Sequence, residues 1–274
     1  MSKFIKNSKN KFSYSRINTF KSCPQKYKIQ YIDLVKTKND SIEAYMGKMV
    51  HNVLEDLYLI EDLQSKFIPF DNLIEMYNES WDKHWHKNIF ISNYKYDRYN
   101  YNKNTVYNNG LICLKNYYKR FNTSGYFKQN VYSVEFPFEI MIDQYCFRGY
   151  IDRIDRDEDG NIYIIDYKTS TKSKTKNQAI NDMQIAIYEI AVRNSITDYN
   201  KINLNLYYLK NNNFISFDHS KEKLNILENK IIDKVNDIID TRDFIAKESI
   251  LCEWCYFWDQ CDVKATSNPS IQLI

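Results

Sequence analysis

A mixed α/β (α+β) architecture, helical in its first half and built on a sheet in its second, is what this sequence predicts. Up to about Phe121 the apolar residues recur at helical spacing; from Val131 they gather into β-rich runs bounded by turn signals. Gly and Pro number only 5 and 4 in 274 residues, which favours long regular elements joined by few flexible hinges.

The elements follow in order. Ile17, Phe20, Tyr27 and Tyr31 lie at helical spacing with Pro24 interrupting them. Two short helices are expected, the second opened by Pro24, where its missing N–H costs nothing. A longer helix reads from Tyr45 to about Ile60 on a face of Met46, Val50, Val53, Leu54 and Leu57. Helical patterns follow at Asn72 to Trp85 and Val106 to Phe121, with the Tyr- and Asn-rich stretch Asn88 to Asn104 expected as a loop. Val131 to Ile140, Tyr145 to Arg156 and Asn161 to Tyr167 read as antiparallel strands. A helix from about Asn177 to Val192, strands near Ile202 to Leu209 and Phe214 to Phe217, and a long helix from Lys221 to about Asp240 complete the order. No repeat or linker divides the chain. One domain over 1–274 is expected, with a mainly helical part (13–125), a sheet part (131–218) and a last helix with a cysteine-rich tail (219–274).

Composition excludes little. A net charge of +3 is nearly silent about partners, since a basic face can coexist with a total near zero. No apolar run reaches membrane-spanning length, and Met1 to Lys11 lacks the apolar core of a secretory signal, so no membrane partner is expected and a cytoplasmic location is the default. Six cysteines occur, at 23, 113, 146, 252, 255 and 261, and three of them crowd into ten residues, which points to a metal or cluster site rather than disulfides.

The strongest chemical signal is Gly149-Tyr-Ile-Asp152-Arg-Ile-Asp155, a turn at Asp157-Glu-Asp-Gly160, then Ile164-Ile-Asp166-Tyr-Lys168. A three-residue loop of Glu158 to Gly160, with Gly160 left-handed, sets Asp157 against Asn161 and Asp152 opposite Asp166, with Lys168 on the same face. Adjacent carboxylates repel unless protonated or bridged by a cation. Oxygen ligands suit Mg²⁺ or Mn²⁺, and a lysine beside them can orient or deprotonate water or stabilise charge on phosphorus. A surface salt bridge is the ordinary alternative, but Ile162, Ile164 and Ile165 place Asp166 at the end of a buried strand, where a charge needs a reason. Glu135, on the preceding strand, reads as an accessory acid or as an ordinary strand-edge residue.

These residues resemble the RecB-type branch of the PD-(D/E)XK nuclease superfamily. The resemblance extends to Phe12-Ser-Tyr-Ser-Arg-Ile-Asn-Thr-Phe-Lys-Ser-Cys-Pro-Gln-Lys-Tyr27, Gly47-Lys-Met-Val-His51, Gln184-Ile-Ala-Ile-Tyr188 and Cys252-x2-Cys255-x5-Cys261, in family order from about Ser13 to Cys261. It implies a restriction-endonuclease-like core: a mixed central sheet flanked by helices, with the cysteine-rich tail docked on it. It also implies that Asp152, Asp166, His51 and the carbonyl of Tyr167 hold the metal, that Lys168 is the catalytic lysine, and that Gln184 and Tyr188 lie beside the site and position the DNA backbone. From the residues alone, a histidine after Val50 on an amphipathic helix reads as packed or surface.

Three thiolates leave a tetrahedral site one ligand short. Cys23, inside the first matching motif, is the natural fourth, and the resemblance implies a [4Fe–4S] cluster; Zn²⁺ is the alternative at the same four thiolates. Trp254, Tyr256, Phe257 and Trp258 would wrap such a group or simply pack as core, and Cys113 and Cys146 read as small buried hydrophobes.

The expected activity is a metal-dependent exonuclease on single-stranded DNA ends, acting in repair, recombination or CRISPR adaptation; members of the branch include recombination nucleases and CRISPR-associated exonucleases. No P-loop occurs, so a helicase or other recombination or CRISPR protein would act in trans. The segments Tyr94 to Tyr107 and Lys172 to Lys176 can stack bases and hold phosphates, or be solvated loop. The competing readings are an inactive DNA-binding scaffold on the same fold, an endonuclease, and an enzyme of RNA.

Overall fold

The computed structural model describes residues 11–99, 101–264 and 270–272. The polar opening stretch read against a secretory signal lies, up to residue 10, outside them.

Five strands form the central sheet: β1 (Val131–Ile142), β2 (Tyr145–Arg156), β3 (Ile162–Lys168), β4 (Ile202–Tyr208) and β5 (Asn213–Phe217). They lie side by side in that order, antiparallel except for the parallel pair β3–β4. A parallel pair needs a crossover, and α7 (Lys176–Ile180) and α8 (Met183–Ser195) supply it. The restriction-endonuclease-like expectation of a mixed sheet flanked by helices is met.

Each face of the sheet carries its own apolar layer. On one side Ile154, Ile162, Ile164, Leu204 and Leu206 pack with α1 (Tyr14–Ser22), α8 and α9 (Lys221–Asp240). On the other, Ile165, Tyr167 and Tyr207 pack with α3 (Ile42–Tyr58), α4 (Phe70–His84) and α6 (Lys103–Phe121). Strand periodicity explains the split, since neighbouring positions such as Ile164 and Ile165 must face opposite layers. α3 starts where Ser41 accepts a hydrogen bond from Ala44 N–H, and it buries Ile42, Tyr45, Met46, Met49, Val50, Val53, Leu54 and Leu57 as one stripe. α8 is buried nearly all round, as suits a helix between a sheet and two further helices.

The hairpin between β2 and β3 takes the expected register. Arg153 pairs with Ile165, Ile154 with Ile164 and Arg156 with Ile162, and Gly160 adopts φ +77°, a conformation that glycine enters without steric cost. Pro24 opens α2 (Pro24–Tyr27) as expected.

Three expectations need correction. Asn88 to Asn104 is no loop: Ile89–Ser92 is a strand buried at all four positions, and α5 (Asn93–Tyr99) follows it; residue 100 is not among the described residues. The apolar run Ile89-Phe-Ile91 outweighs the surrounding Tyr and Asn, because it fills the gap between the strand Asp40–Ser41 and the strand Ser270–Gln272. The single helix expected over 177–192 is two helices, because Asp182 leaves helical conformation to cap α8, accepting from Gln184 N–H, and also pairs with Lys174. Cys113 is buried as expected, but Cys146 is only partly so, opposite exposed Met141 on the outer face of the β1–β2 hairpin.

Among the described residues no helix is long and apolar enough to cross a membrane.

Arg153, fully buried, lies under the sheet among tyrosines. It grips Asp155 through two hydrogen bonds of 2.6 and 2.5 Å and donates to the hydroxyls of Tyr58 (2.7 Å) and Tyr117 (2.6 Å). Removing one partner of a buried pair strands the other, at a cost of about 3–5 kcal/mol. Arg153→Ala is therefore expected to lower the urea midpoint by that equivalent, and Arg153→Lys, which keeps charge but loses the fork, to recover only part of it. An unchanged midpoint would contradict this reading of the core.

Candidate metal centre and cysteine cavity

The sheet opens at Asp152. β1 and β2 keep one register on either side, with Val134 opposite Arg153 and Phe136 opposite Ile151, but Glu135 and Asp152 between them are unpaired. The β2–β3 ladder likewise stops at Arg153–Ile165. Two local features accompany the opening. Glu135 adopts φ +43°, a left-handed conformation that costs a non-glycine residue about 1–3 kcal/mol and persists where the surroundings enforce it. The N–H of Tyr167 donates to Asp152 Oδ2 at 2.7 Å instead of to backbone. Asp152 and Asp166 therefore do not face each other as a ladder pair, although the register leading to them is the expected one.

α3 brings in His51. The helix passes so close to the end of β3 that a Cβ on Gly47 would lie 2.9 Å from Thr169 Oγ1. One turn on, His51 Nδ1 stands 3.6 Å from Asp152 Oδ1, with its ring edge-on to Tyr167. Among the described residues, His51, Glu135 and Asp152 form the one set of three or more metal-type ligands whose donor atoms all lie within 4.8 Å of one another. Glu135, which the sequence left between two readings, thus joins the expected His51 and Asp152.

Asp166, 1% exposed, turns elsewhere. Its buried Oδ2 has no well-angled hydrogen bond, and Lys168 Nζ stands 2.6 Å from it. Lys168 donates to Gln184 Oε1 at 2.8 Å, and Gln184 Nε2 donates to the Tyr188 hydroxyl at 2.8 Å. Gln184 and Tyr188 are one helical turn apart on α8, so both reach the same sheet edge. The sequence-predicted residues Asp152, Asp166, Tyr167, Lys168, Gln184, Tyr188 and His51 therefore gather at one place, with the two aspartates performing different local tasks.

The electrostatics fit a cation. Burial pushes Asp166 up to about 6, with Asp152 adding to the rise, and the pull of Lys168 does not cancel it. Burial and the charge of Asp152 also raise Glu135. Asp152 itself is lowered: burial opposes ionisation, but His51 and the Tyr167 N–H outweigh it. Lys168 is held as an ammonium ion, since Asp166 overcomes the burial that works against its charge. Carboxyls raised by burial and mutual repulsion, with a buried oxygen that lacks a well-angled hydrogen bond and an imidazole beside them, form a donor set that a hard divalent cation would complete. His51, Glu135, Asp152 and Asp166 are the side chains that could hold it.

Cys23, Cys252, Cys255 and Cys261 line one cavity of ≈ 170 Å³, together with Trp254, Phe257 and Trp258. Cys23 lies between α1 and α2 in extended conformation, Cys252 lies within a short 3₁₀ turn, and Cys255 and Cys261 each follow one. The tail docks through the Phe90 ring, 4.9 Å from that of Trp258, and through Ser92 Oγ, which donates to Glu253. None of the four is in a disulfide, and burial raises Cys255.

The mixed sheet thus carries carboxylates, a histidine and a lysine where its ladder opens between β2 and β3, the setting of a metal-dependent hydrolase. Residues 11–262 match the model of the PD-(D/E)XK nuclease superfamily, and the chain belongs to that superfamily. Nucleases of this superfamily generally use divalent metals. No curated protein matches the sequence. Solved structures that resemble it include a "Putative exonuclease" from Eubacterium rectale, at 8% identity and TM-score 0.49 over 100% of this chain and 93% of that one. Another is SSO0001, at 16% identity and TM-score 0.37 over 89% of this chain and 95% of that one.

His51 titrates above its ordinary value: burial works against its charge, but Asp152 outweighs burial and Asp166 adds to it. In the metal-free protein, histidine NMR is expected to place His51 above about 6.5. A raised folded-state pKa stabilises the fold at lower pH, and that contribution is lost as pH rises through the folded value. Asp152→Asn is expected to bring His51 down and flatten this slope; an unshifted His51 in the variant would contradict the pairing.

Proposed function

We propose that the chain is a single nuclease domain that hydrolyses phosphodiester bonds of DNA, as an exonuclease acting on single-stranded ends. The observation that carries the reading is the convergence of His51, Glu135 and Asp152 within 4.8 Å of one another, beside the Asp166–Lys168 pair.

In this reading His51, Glu135, Asp152 and Asp166, with the Tyr167 carbonyl, hold a Mg²⁺ or Mn²⁺ ion. When bound, the ion lowers the pKa of a water and offsets phosphate charge. The chain's own residues do the rest. Lys168, kept protonated by Asp166 and aimed by Gln184, stabilises the negative charge that builds on the phosphoryl oxygens as water adds and the ester oxygen leaves. Gln184 and Tyr188 fix the ammonium and line the path of the DNA backbone. Glu135 and Asp152, adjacent and unpaired in the ladder, present their oxygens to one point. Repair, recombination or CRISPR adaptation, with a helicase or another protein in trans, is the setting we propose.

We further propose that Cys23, Cys252, Cys255 and Cys261 hold a [4Fe–4S] cluster tying the two ends of the chain together. The four cysteines line one cavity, which is the observation that supports a shared group.

The test is digestion of end-labelled linear and circular single-stranded DNA with Mg²⁺, Mn²⁺ or EDTA, with Lys168→Ala alongside. Loss of the linear substrate alone, dependent on metal and reduced at least a hundredfold in the variant, is expected; equal loss of the circle would replace exonuclease by endonuclease. No cleavage by a folded, DNA-binding protein would favour a scaffold. Anaerobically purified protein is expected to carry about four irons with matching sulfide, both lost in Cys23→Ser. One zinc without sulfide would overturn the cluster.

A further inference from the structure

The outer face of the β1–β2 hairpin runs straight into the candidate metal centre. Phe147 and Ile151 on β2 are fully buried, and so face the core. The positions between them, Arg148 and Tyr150, face outward with Asp152 at the same two-residue spacing. On β1, Phe138 and Ile140 are buried and Pro137 and Glu139 exposed, with Glu135 next along that outer row. The cross-strand pairs on this face are Tyr150 with Pro137 and Arg148 with Glu139. Tyr150 is 62% exposed, a large aromatic on an open sheet face whose hydroxyl has no hydrogen bond among the described residues. Arg148 has no ion pair among them either, because Lys11 takes the Glu139 carboxylate.

We propose that Tyr150 is the stacking platform for the nucleobase beside the scissile phosphate, with Arg148 holding a phosphate further along, so that the site selects single-stranded DNA. The proposal rests on the nuclease reading above and names its substrate class. Strand rise puts the Tyr150 backbone about 7 Å and that of Arg148 about 13 Å from Asp152, a row ordered cation site, aromatic, guanidinium. An aromatic ring on an open face binds any base through its π-surface, without sequence preference, but only where the base is free of a stacked and paired neighbour. A duplex offers that face no unstacked base. Arg148 supplies the sequence-independent backbone contact.

Tyr150→Ala, Tyr150→Phe and Arg148→Ala in the full chain test this, with kcat and KM measured on linear single- and double-stranded DNA in Mn²⁺. Tyr150→Ala is expected to raise KM for the single strand about tenfold, with a much smaller change in kcat and in duplex digestion; Tyr150→Phe, which keeps the ring, is expected to restore KM. Arg148→Ala is expected to raise KM and flatten its salt dependence. A wild-type protein that cuts single strands while Tyr150→Ala keeps an unchanged KM overturns this proposal and leaves the nuclease reading standing. Equal impairment by Ala and Phe also overturns it, since a ring contact does not need the hydroxyl. A wild-type protein that cuts no DNA takes both down.

Discussion

The hydrogen bond from Tyr167 N–H to Asp152 Oδ2 at 2.7 Å sits where three structural demands meet. The β2–β3 ladder could continue past Arg153–Ile165, yet there the strand gives its N–H to a carboxylate instead. That exchange fixes one oxygen of Asp152 and leaves the other toward His51. It also anchors Tyr167, whose ring packs on His51 and whose hydroxyl lies 3.2 Å from that of Tyr117 in the network around Arg153. The buried guanidinium beneath the sheet and the carboxylate at its edge are thus braced through one residue. Glu135, held at positive φ across from Asp152, is the strained counterpart of the same opening.

Such a site is costly to build. Asp166 is buried beside Lys168 with an oxygen that finds no well-angled partner, and Glu135 and Asp152 bring like charges together. A core of this size can offset the cost, because the sheet is covered on both faces and α8 is buried nearly all round. Tight packing also explains the precision: α3 approaches Thr169 closely enough that only glycine fits at 47 without displacing its neighbour. The unsatisfied Asp166 oxygen and the crowded charges of Glu135 and Asp152 are then a preorganised deficit that a divalent cation would relieve.

Much of this was legible in the sequence, and the reasons are local. The β2–β3 register followed from a three-residue turn with glycine at its left-handed position, so the placement of Asp166 and Lys168 on one strand face was readable from side-chain alternation. α9 and the apolar stripe of α3 followed from helical period. The misses share a cause, which is that tertiary packing decided them. The buried strand Ile89–Ser92 was hidden in a polar, Tyr-rich stretch because its partners lie far along the chain. Asp182 broke the crossover helix because its carboxylate caps α8 and meets Lys174, a choice no periodicity reveals. The reach of His51 to Asp152 depends on how α3 crosses the sheet, and only the family resemblance anticipated it. Glu135 was left between an accessory acid and an ordinary strand-edge residue, since the positive φ that turns it toward the site is imposed by its surroundings. The two aspartates were expected face to face; the ladder opens one residue pair too early for that.

In the proposed function His51, Glu135, Asp152 and Asp166 share one cation. Anomalous diffraction from crystals soaked in Mn²⁺ checks this at the atoms concerned. A single peak is expected within coordination distance of His51, Glu135, Asp152 and Asp166, lost in Asp152→Ala crystals that keep the same fold. A Mn²⁺ peak between Asp152 and Asp166 that leaves His51 and Glu135 unliganded, or no peak at saturating metal, would contradict it.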